Sequence, residues 1–255
     1  MTINIYSYLI ICPLIFLAGF VDSIGGGGGL ISLPAYLLAG LPTHTSIATN
    51  KLSSAMGTTV STAKFIKHKL INLKLAIPTI IAALIGSSLG ANLSLKTDDY
   101  ILRIALLPVL CITAFFVLNK HLFGKAYTTV DVFDTKVFFI ATILALVIGA
   151  YDGFYGPGTG TFLIILLNVF AHLNINQANA QTKAINLTTN ITSLLIFIHS
   201  GQVVWQLGLI AGIFGIAGNY LGSSLAIKNS AKITRPIIGL VLVLLFCKVV
   251  SSLFT

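Results

Sequence analysis

Two glycine-rich stretches, each preceded by an aspartate, are the part of this 255-residue chain whose residue types could do chemistry. In the first, Asp22 precedes five consecutive glycines at positions 25–29, and in the second, Asp152 opens the glycine- and proline-rich stretch 152–160. Consecutive glycines do not sustain a regular helix, since each costs about 1 kcal/mol relative to alanine. The N-terminus of a helix that follows such a break presents backbone N–H groups, which bind anions.

The glycines are therefore our first candidates for substrate binding. The residues concerned are Gly26, Gly27 and Gly28 in the first stretch, and Gly156, Gly158 and Gly160 in the second. The competing interpretation is close packing of helices at a crossing point. We favour a binding site, because in both halves the glycines adjoin an aspartate and a polar helix, as in the broken helices of secondary transporters.

Two lysines fall within apolar surroundings, where a charge is expensive and usually functional. Lys51 and Lys183 could each hold an anion. Alternatively, each could compensate the charge of Asp22 or Asp152, because a lone buried charge is costly. Both interpretations hold together if the anion competes for the ion pair.

The remaining candidates are polar groups near these charges. Asp22 and Asp152 could couple transport to a proton or another ion, or could simply pair with lysine. Asn50 and Asn186 could bond the substrate, or could satisfy the backbone that the glycines free. We leave these alternatives open.

The composition is that of a membrane protein: 56% of the residues are hydrophobic and only 8% are charged, whereas soluble domains have about 25%. Lys and Arg number 15 against six Asp and Glu. The cations lie mostly in short loops between apolar runs, the positive-inside pattern, so we expect no nucleic-acid partner. The three cysteines are far apart and form no cluster with histidine, so we expect no metal and no cofactor.

Hydropathy predicts an all-α polytopic transmembrane protein of eight to ten membrane segments. Apolar runs predict helices at 4–21, 75–93, 101–119, 137–151, 203–226 and 233–253. Polar helices are predicted at 45–66 and 177–199, and two short apolar pieces at 29–40 and 161–171. Twelve helical residues reach only about 18 Å, less than the hydrocarbon core, so the short pieces are predicted to be half-helices.

The chain contains an internal duplication. Asp22 and Asp152 lie 130 positions apart, and Lys51 and Lys183 lie 132 apart. Further pairs at these spacings are Gly26/Gly156, Gly28/Gly158, Gly86/Gly218, Gly90/Gly222 and Lys96/Lys228. We therefore divide the chain into a first repeat at 1–119, a polar linker at 120–136 and a second repeat at 137–255. Two repeats with equivalent breaks are typical of a secondary transporter.

The distribution of cations favours repeats of opposite orientation. If the short pieces cross the membrane, the cationic loops 64–74 and 226–235 lie on one side, in an inverted five-plus-five arrangement. If the short pieces re-enter without crossing, the halves are parallel, four plus four, and one cationic loop lies outside. The positive-inside rule favours the inverted arrangement.

Several motifs carry a resemblance to a known family. They lie at 25–34 (GGGGGLISLP), 48–52 (ATNKL), 151–160 (YDGFYGPGTG) and 182–186 (TKAIN). In this order they resemble the TauE/SafE sulfite-exporter family, also called the toluene sulfonate uptake permeases, and its YfcA-like branch in particular. The similarity runs from about residue 10 to residue 250. It implies a bacterial inner-membrane permease for small anions, often sulfur oxyanions or organosulfonates such as sulfite.

We therefore expect a permease that moves a small anion by alternating access, with the lipid bilayer as its environment. A proton or another coupling ion, and a homo-oligomeric state, are left open. An anion channel would use the same residues. A membrane enzyme with two aspartates sharing a proton is the other alternative; the chain lacks a Gly-x-Gly-Asp motif, so we expect no enzyme.

Overall fold

The computed structural model describes residues 5–98, 100–102 and 135–253, and within them the regular structure is entirely helical. Eight helices follow in chain order: α1 (Ile5–Gly25), α2 (Gly29–Leu38), α3 (Thr43–Lys67), α4 (Leu73–Ser94), α5 (Thr135–Phe154), α6 (Thr159–Val169), α7 (Ile175–His199) and α8 (Trp205–Leu253). These confirm the predicted all-α class. The predicted helix 101–119 and linker 120–136 lie almost wholly outside the described residues.

Three predicted boundaries are wrong. Helix α1 continues to Gly25, so Asp22 lies in its last turns and not after its end. Helix α5 likewise continues to Phe154, so Asp152 lies in its last turn. The predicted helices 203–226 and 233–253 form one continuous helix of 49 residues. The intervening residues 227–232 contain no glycine or proline, and Pro236 lies inside the continuous helix and does not end it. Lys228 is consequently helical and does not lie in a loop.

Helices α1 and α2 form a hairpin that turns at the glycines. Near its open end, Tyr36 of α2 packs in one apolar cluster with Ile11 of α1. At the turn, the Gly28 N–H donates to Asp22 Oδ1 at 3.2 Å. Helix α2 therefore returns toward the end of the molecule from which α1 starts.

Helices α5 and α6 form the equivalent hairpin in the second repeat. The Tyr151 hydroxyl donates to the Pro157 carbonyl at 2.6 Å, and the Tyr151 ring lies 5.6 Å from that of Phe162. Gly156 and Gly158 adopt φ values of +96° and +84°, which residues with a side chain rarely adopt. The chain thus reverses direction at the same place in both repeats.

The two polar helices α3 and α7 are equivalent in the repeat and run antiparallel. At one end, Thr45 of α3 donates to Gln202, just after α7, at 3.1 Å. Near the other end, the Thr62 hydroxyl donates to the Lys183 carbonyl at 3.1 Å. Equivalent helices of the two repeats therefore point in opposite directions, as in inverted-repeat transporters.

The hairpins agree with the crossing count of the inverted alternative. Helix α2 ends at the side from which α1 starts, so α1 and α2 together make no net crossing. The parallel alternative required the chain to leave at the side where α1 ends, and the structure does not show that path.

The small-residue pairs hold the flanking helices close together. A Cβ added at Gly86 or Gly90 of α4 would lie 2.1 Å or 1.9 Å from a carbonyl oxygen of α5. Added at the equivalent Gly218 of α8, it would lie 2.0 Å from the Phe16 carbonyl oxygen of α1. Only glycine permits these two equivalent contacts.

The apolar surface and the helix lengths make this a multi-pass membrane protein. Four helical stretches of the described chain are long and apolar enough to span a bilayer: Ser7–Gly25, Leu73–Ser94, Thr135–Phe154 and Trp205–Lys228. Helix α4, for example, exposes Ile77, Ile81 and Leu89 outward. The polar helices α3 and α7 lie inside, where their hydroxyl and amide groups are shielded from lipid.

Candidate functional site

The two glycine turns meet in the interior of the molecule. A Cβ added at Gly26, whose φ is +73°, would lie 2.2 Å from the carbonyl carbon of Gly160. The Thr161 hydroxyl donates to the Gly25 carbonyl at 3.0 Å. The N-termini of α2 and α6 therefore lie next to each other, and their axes lead away toward opposite ends. Both positive helix ends act on the same small volume.

Two crossed ion pairs join the repeats beside these turns. Lys51 of α3 pairs with Asp152 of α5 at 2.7 Å between Nζ and Oδ2. Lys183 of α7 pairs with Asp22 of α1 at 3.3 Å, and its ammonium also donates to the Asp22 main-chain carbonyl. Each pair takes its lysine from one repeat and its aspartate from the other. The two pairs are therefore related by the same symmetry as the helices.

Both lysines are almost completely buried, with side-chain exposures of 2% for Lys51 and 0% for Lys183. A buried ammonium without a partner would be strongly destabilising, so the aspartates serve at least as counter-charges. Each carboxylate is held by a lysine, which differs from the pair of carboxylates sharing one proton that aspartyl-type catalysis requires.

A cavity of about 40 Å³ lies where the two turns, α3 and α8 approach one another. Since about 10–15 Å³ of such volume holds one water molecule, the cavity has room for about three groups of that size. Ten predicted site residues line it: Asp22, Gly27, Gly28, Asn50, Lys51, Asp152, Gly156, Gly158, Gly160 and Asn186. The structure thus brings most of the candidates together in one place.

Gly26 and Lys183 do not line the cavity. Gly26 is packed against Gly160 and Thr161, where its role is close backbone contact. The Lys183 ammonium is directed to Asp22 and is fully buried behind it. Of the two repeat-related lysines, Lys51 is the one that the cavity reaches in this state.

Sequence reasoning missed several cavity residues, of which Asn219 on α8 is the most informative. It is 3% exposed and lines the cavity. The missed signal was an amide within the apolar run 207–222. Ser32 and Thr159 also line the cavity.

The position equivalent to Asn219 in the first repeat is closed. It is occupied by Ser87 of α4, whose hydroxyl donates to the Thr189 carbonyl at 2.9 Å and contacts Ser193 Oγ at 2.7 Å. The cavity is lined mainly by α1, α3, α8 and the two turns, and it also reaches Asp152 of α5 and Asn186 of α7. At the position equivalent to Asn219, Ser87 is instead in direct contact with α7. The two repeats are thus equivalent in sequence, but their equivalent positions differ in structure: Asn219 lines the cavity and Ser87 does not.

Comparisons with known proteins agree with this architecture. The family model described as "Sulfite exporter TauE/SafE" matches residues 11–249. The chain is 34% identical to the probable membrane transporter protein ORF9 of Sinorhizobium sp, covering 93% of this chain and 90% of that protein.

Two further bacterial relatives extend the comparison. The chain is 35% identical to the probable membrane transporter protein YfcA of Escherichia coli K12, covering 88% and 82% of the two chains. It is 30% identical to a probable membrane transporter protein of Haemophilus influenzae, covering 92% and 91%. No solved structure matches. The chain belongs to the TauE/SafE sulfite exporter family.

Proposed function

We propose that this chain is a membrane transporter, a secondary permease that moves a small anion by alternating access through the cavity between the two glycine turns. A sulfur oxyanion or organosulfonate such as sulfite is the substrate class that the family description suggests. The observation that carries the proposal is the position of the Lys51 ammonium, which lines a small buried cavity between two helix N-termini.

The backbone contributes as much as the lysine. Helix N-termini carry partial positive charge and direct N–H groups at an anion without adding a full protein charge. Gly27, Gly28, Gly158 and Gly160 line the cavity at the starts of α2 and α6. A Cβ added at Gly156 would lie 3.1 Å from Lys51 Nζ. Glycine there lets the backbone, the ammonium and a ligand approach one another.

Charge balance supports coupling to a second ion. The two lysines and two aspartates cancel in their crossed pairs. An entering anion adds an uncompensated negative charge in a buried site, which is costly. A proton on Asp22 or Asp152, or a co-bound cation, would restore neutrality and would release a lysine to the anion. We accordingly assign ion coupling to this aspartate pair.

Alternating access is supported by the asymmetry of the core. In an inverted-repeat carrier, one half adopts the open arrangement while the other is closed, and the two exchange. Here Asn219 lines the cavity, whereas the equivalent Ser87 is hydrogen-bonded to Thr189 and Ser193 of α7. The two states would then differ by which side is packed.

Transport should be measured with the purified chain in liposomes, using radiolabelled sulfite and sulfate. We expect saturable uptake that is accelerated by the same unlabelled anion on the opposite side, because exchange is characteristic of a carrier. Uptake that rises linearly with concentration and shows no exchange would indicate a channel instead. Absence of anion flux above that of protein-free liposomes would contradict the proposal.

A further inference from the structure

The side chain of Asn219 is held in one orientation at the cavity. Its Nδ2 donates to the Gly215 carbonyl of the same helix at 3.0 Å, which fixes the positions of the amide nitrogen and oxygen. A Cβ added at Gly57 would lie 2.4 Å from Nδ2, and one added at Gly19 would lie 2.7 Å from it. Two glycines from two helices therefore leave room for this amide.

The other end of the amide is unsatisfied. Asn219 Oδ1 has no hydrogen-bond partner among the described residues and has almost no accessible surface in this state, so a ligand reaches it only when the side chains around the cavity move apart. An unsatisfied buried acceptor costs roughly as much as a lost hydrogen bond, and such groups call for an explanation. Asn186, which also lines the cavity, has an unpartnered Oδ1 as well.

An amide oxygen is an acceptor and repels a fully ionised oxyanion, but it bonds an O–H or N–H donor. The rest of the cavity has the opposite preference to the Asn219 amide oxygen, since Lys51 and the helix N-termini attract negative charge. A ligand that satisfies both must carry a negative charge and a hydrogen-bond donor together.

We infer that Asn219 is a specificity-determining residue that accepts a hydrogen bond from the ligand, so that the site selects small anions bearing an O–H or N–H group over anions without one. This inference rests on the proposed anion site and narrows its substrate class to hydrogen-bearing anions, such as a protonated oxyanion or a hydroxy- or amino-substituted sulfonate. A site built to bond such a donor discriminates strongly against the analogue that lacks it.

Binding to the purified full-length chain tests this with two matched pairs of anions. Hydroxymethanesulfonate and ethanesulfonate share charge and number of non-hydrogen atoms and differ in one hydroxyl group; glycolate and propionate form the same contrast among carboxylates. We expect the hydroxyl-bearing member of at least one pair to bind about tenfold more tightly or better.

Two substitutions at Asn219 test whether this residue causes the preference for the hydroxyl-bearing anion. In Asn219→Leu, which nearly keeps the size of the side chain, we expect the ratio of the two affinities within each pair to fall to about one. Asn219→Ala, which leaves more room, should give the same loss if the leucine variant does not fold. The control is Asn179→Ala: Asn179 is equally buried and also has an unpartnered Oδ1, but it does not line the cavity. The control should keep the preference.

The binding data distinguish a failure of this inference from a failure of the proposed function. Equal binding of both members of each pair by the wild-type chain would overturn this inference and leave the proposed anion site standing. A preference that persists in both Asn219 variants would also overturn it. If none of these anions nor any inorganic oxyanion binds, the proposed function falls, and this inference with it.

Discussion

At the scale of single residues, the buried charges decide both stability and function. The pair of Lys51 and Asp152 is nearly inaccessible to solvent, so each charge depends on the other. Replacing one partner leaves an uncompensated buried charge, whereas replacing both with uncharged residues of similar shape is often nearly neutral.

We predict that Lys51→Met lowers the stability of the protein by about 3–5 kcal/mol. The double variant Lys51→Met/Asp152→Asn should recover most of that loss, because the remaining carboxylate charge is gone. The measurement is thermal unfolding of the purified proteins in detergent. If the double variant were as unstable as the single one, the ion pair would not be the cause.

The charged residues of the site were predictable from sequence, and their partners were not. Few charges occur in the apolar chain, so Asp22, Asp152, Lys51 and Lys183 stood out and their repeat spacing related them. Which lysine meets which aspartate depends on the antiparallel packing of the repeats, which spacing alone does not reveal. Asn219 was missed because an amide in an apolar stretch of helix has several ordinary explanations.

At the scale of elements, the two glycine turns hold the repeats together by direct contact of their backbones. Gly26 has a positive φ and faces the backbone of Gly160 and Thr161, so a side chain there meets both strain and collision. Gly40, by contrast, has a φ of +85° with nothing within 4 Å of an added Cβ. A side chain at Gly40 therefore meets backbone strain alone, whereas a side chain at Gly26 meets both strain and steric overlap.

We expect Gly26→Ala to destabilise the protein by about 2–5 kcal/mol, from backbone strain and overpacking together. Gly40→Ala should cost only about 1–2 kcal/mol, from strain alone. Thermal unfolding of the two variants side by side gives the comparison. Equal losses at both positions would show that the turns do not meet as described.

Helices were predictable from sequence where an apolar run is long. They were less predictable where a short polar stretch lies inside a continuous helix. The half-helices followed from short apolar length and glycine breaks. The junction at 227–235 was predicted as a loop because it is polar and cationic. Polarity alone does not end a helix, and no glycine or proline stops α8 there.

At the scale of the whole molecule, the antiparallel repeats place defined loops at defined ends. Lys64 near the end of α3 donates to the Tyr220 carbonyl of α8, which puts the cationic loop 64–74 near Lys228. His44 at the start of α3 contacts the Ser94 carbonyl at 2.9 Å, at the opposite end. The positive-inside rule then assigns the first end to the cytoplasm.

Cysteine accessibility in cells tests this arrangement. In a variant whose natural cysteines are replaced by serine, we predict that cysteines at His68 and Lys228 are labelled only from the cytoplasmic side. Cysteines at Lys96 and Ser200 should be labelled only from outside, by an impermeant maleimide. Labelling of His68 and Lys228 from opposite sides would contradict the inverted arrangement.

The central claim is that the cavity between the two turns binds a small anion. The most direct measurement is the melting temperature of the purified chain against sulfite, sulfate, thiosulfate, sulfonates, carboxylates, chloride and phosphate, with Lys51→Met/Asp152→Asn as the comparison. A ligand at about 100 times its Kd stabilises the folded state by about 2.7 kcal/mol. We predict a dose-dependent rise with one class of oxyanion that the double variant lacks. No rise with any anion, or an equal rise in the double variant, would contradict the account.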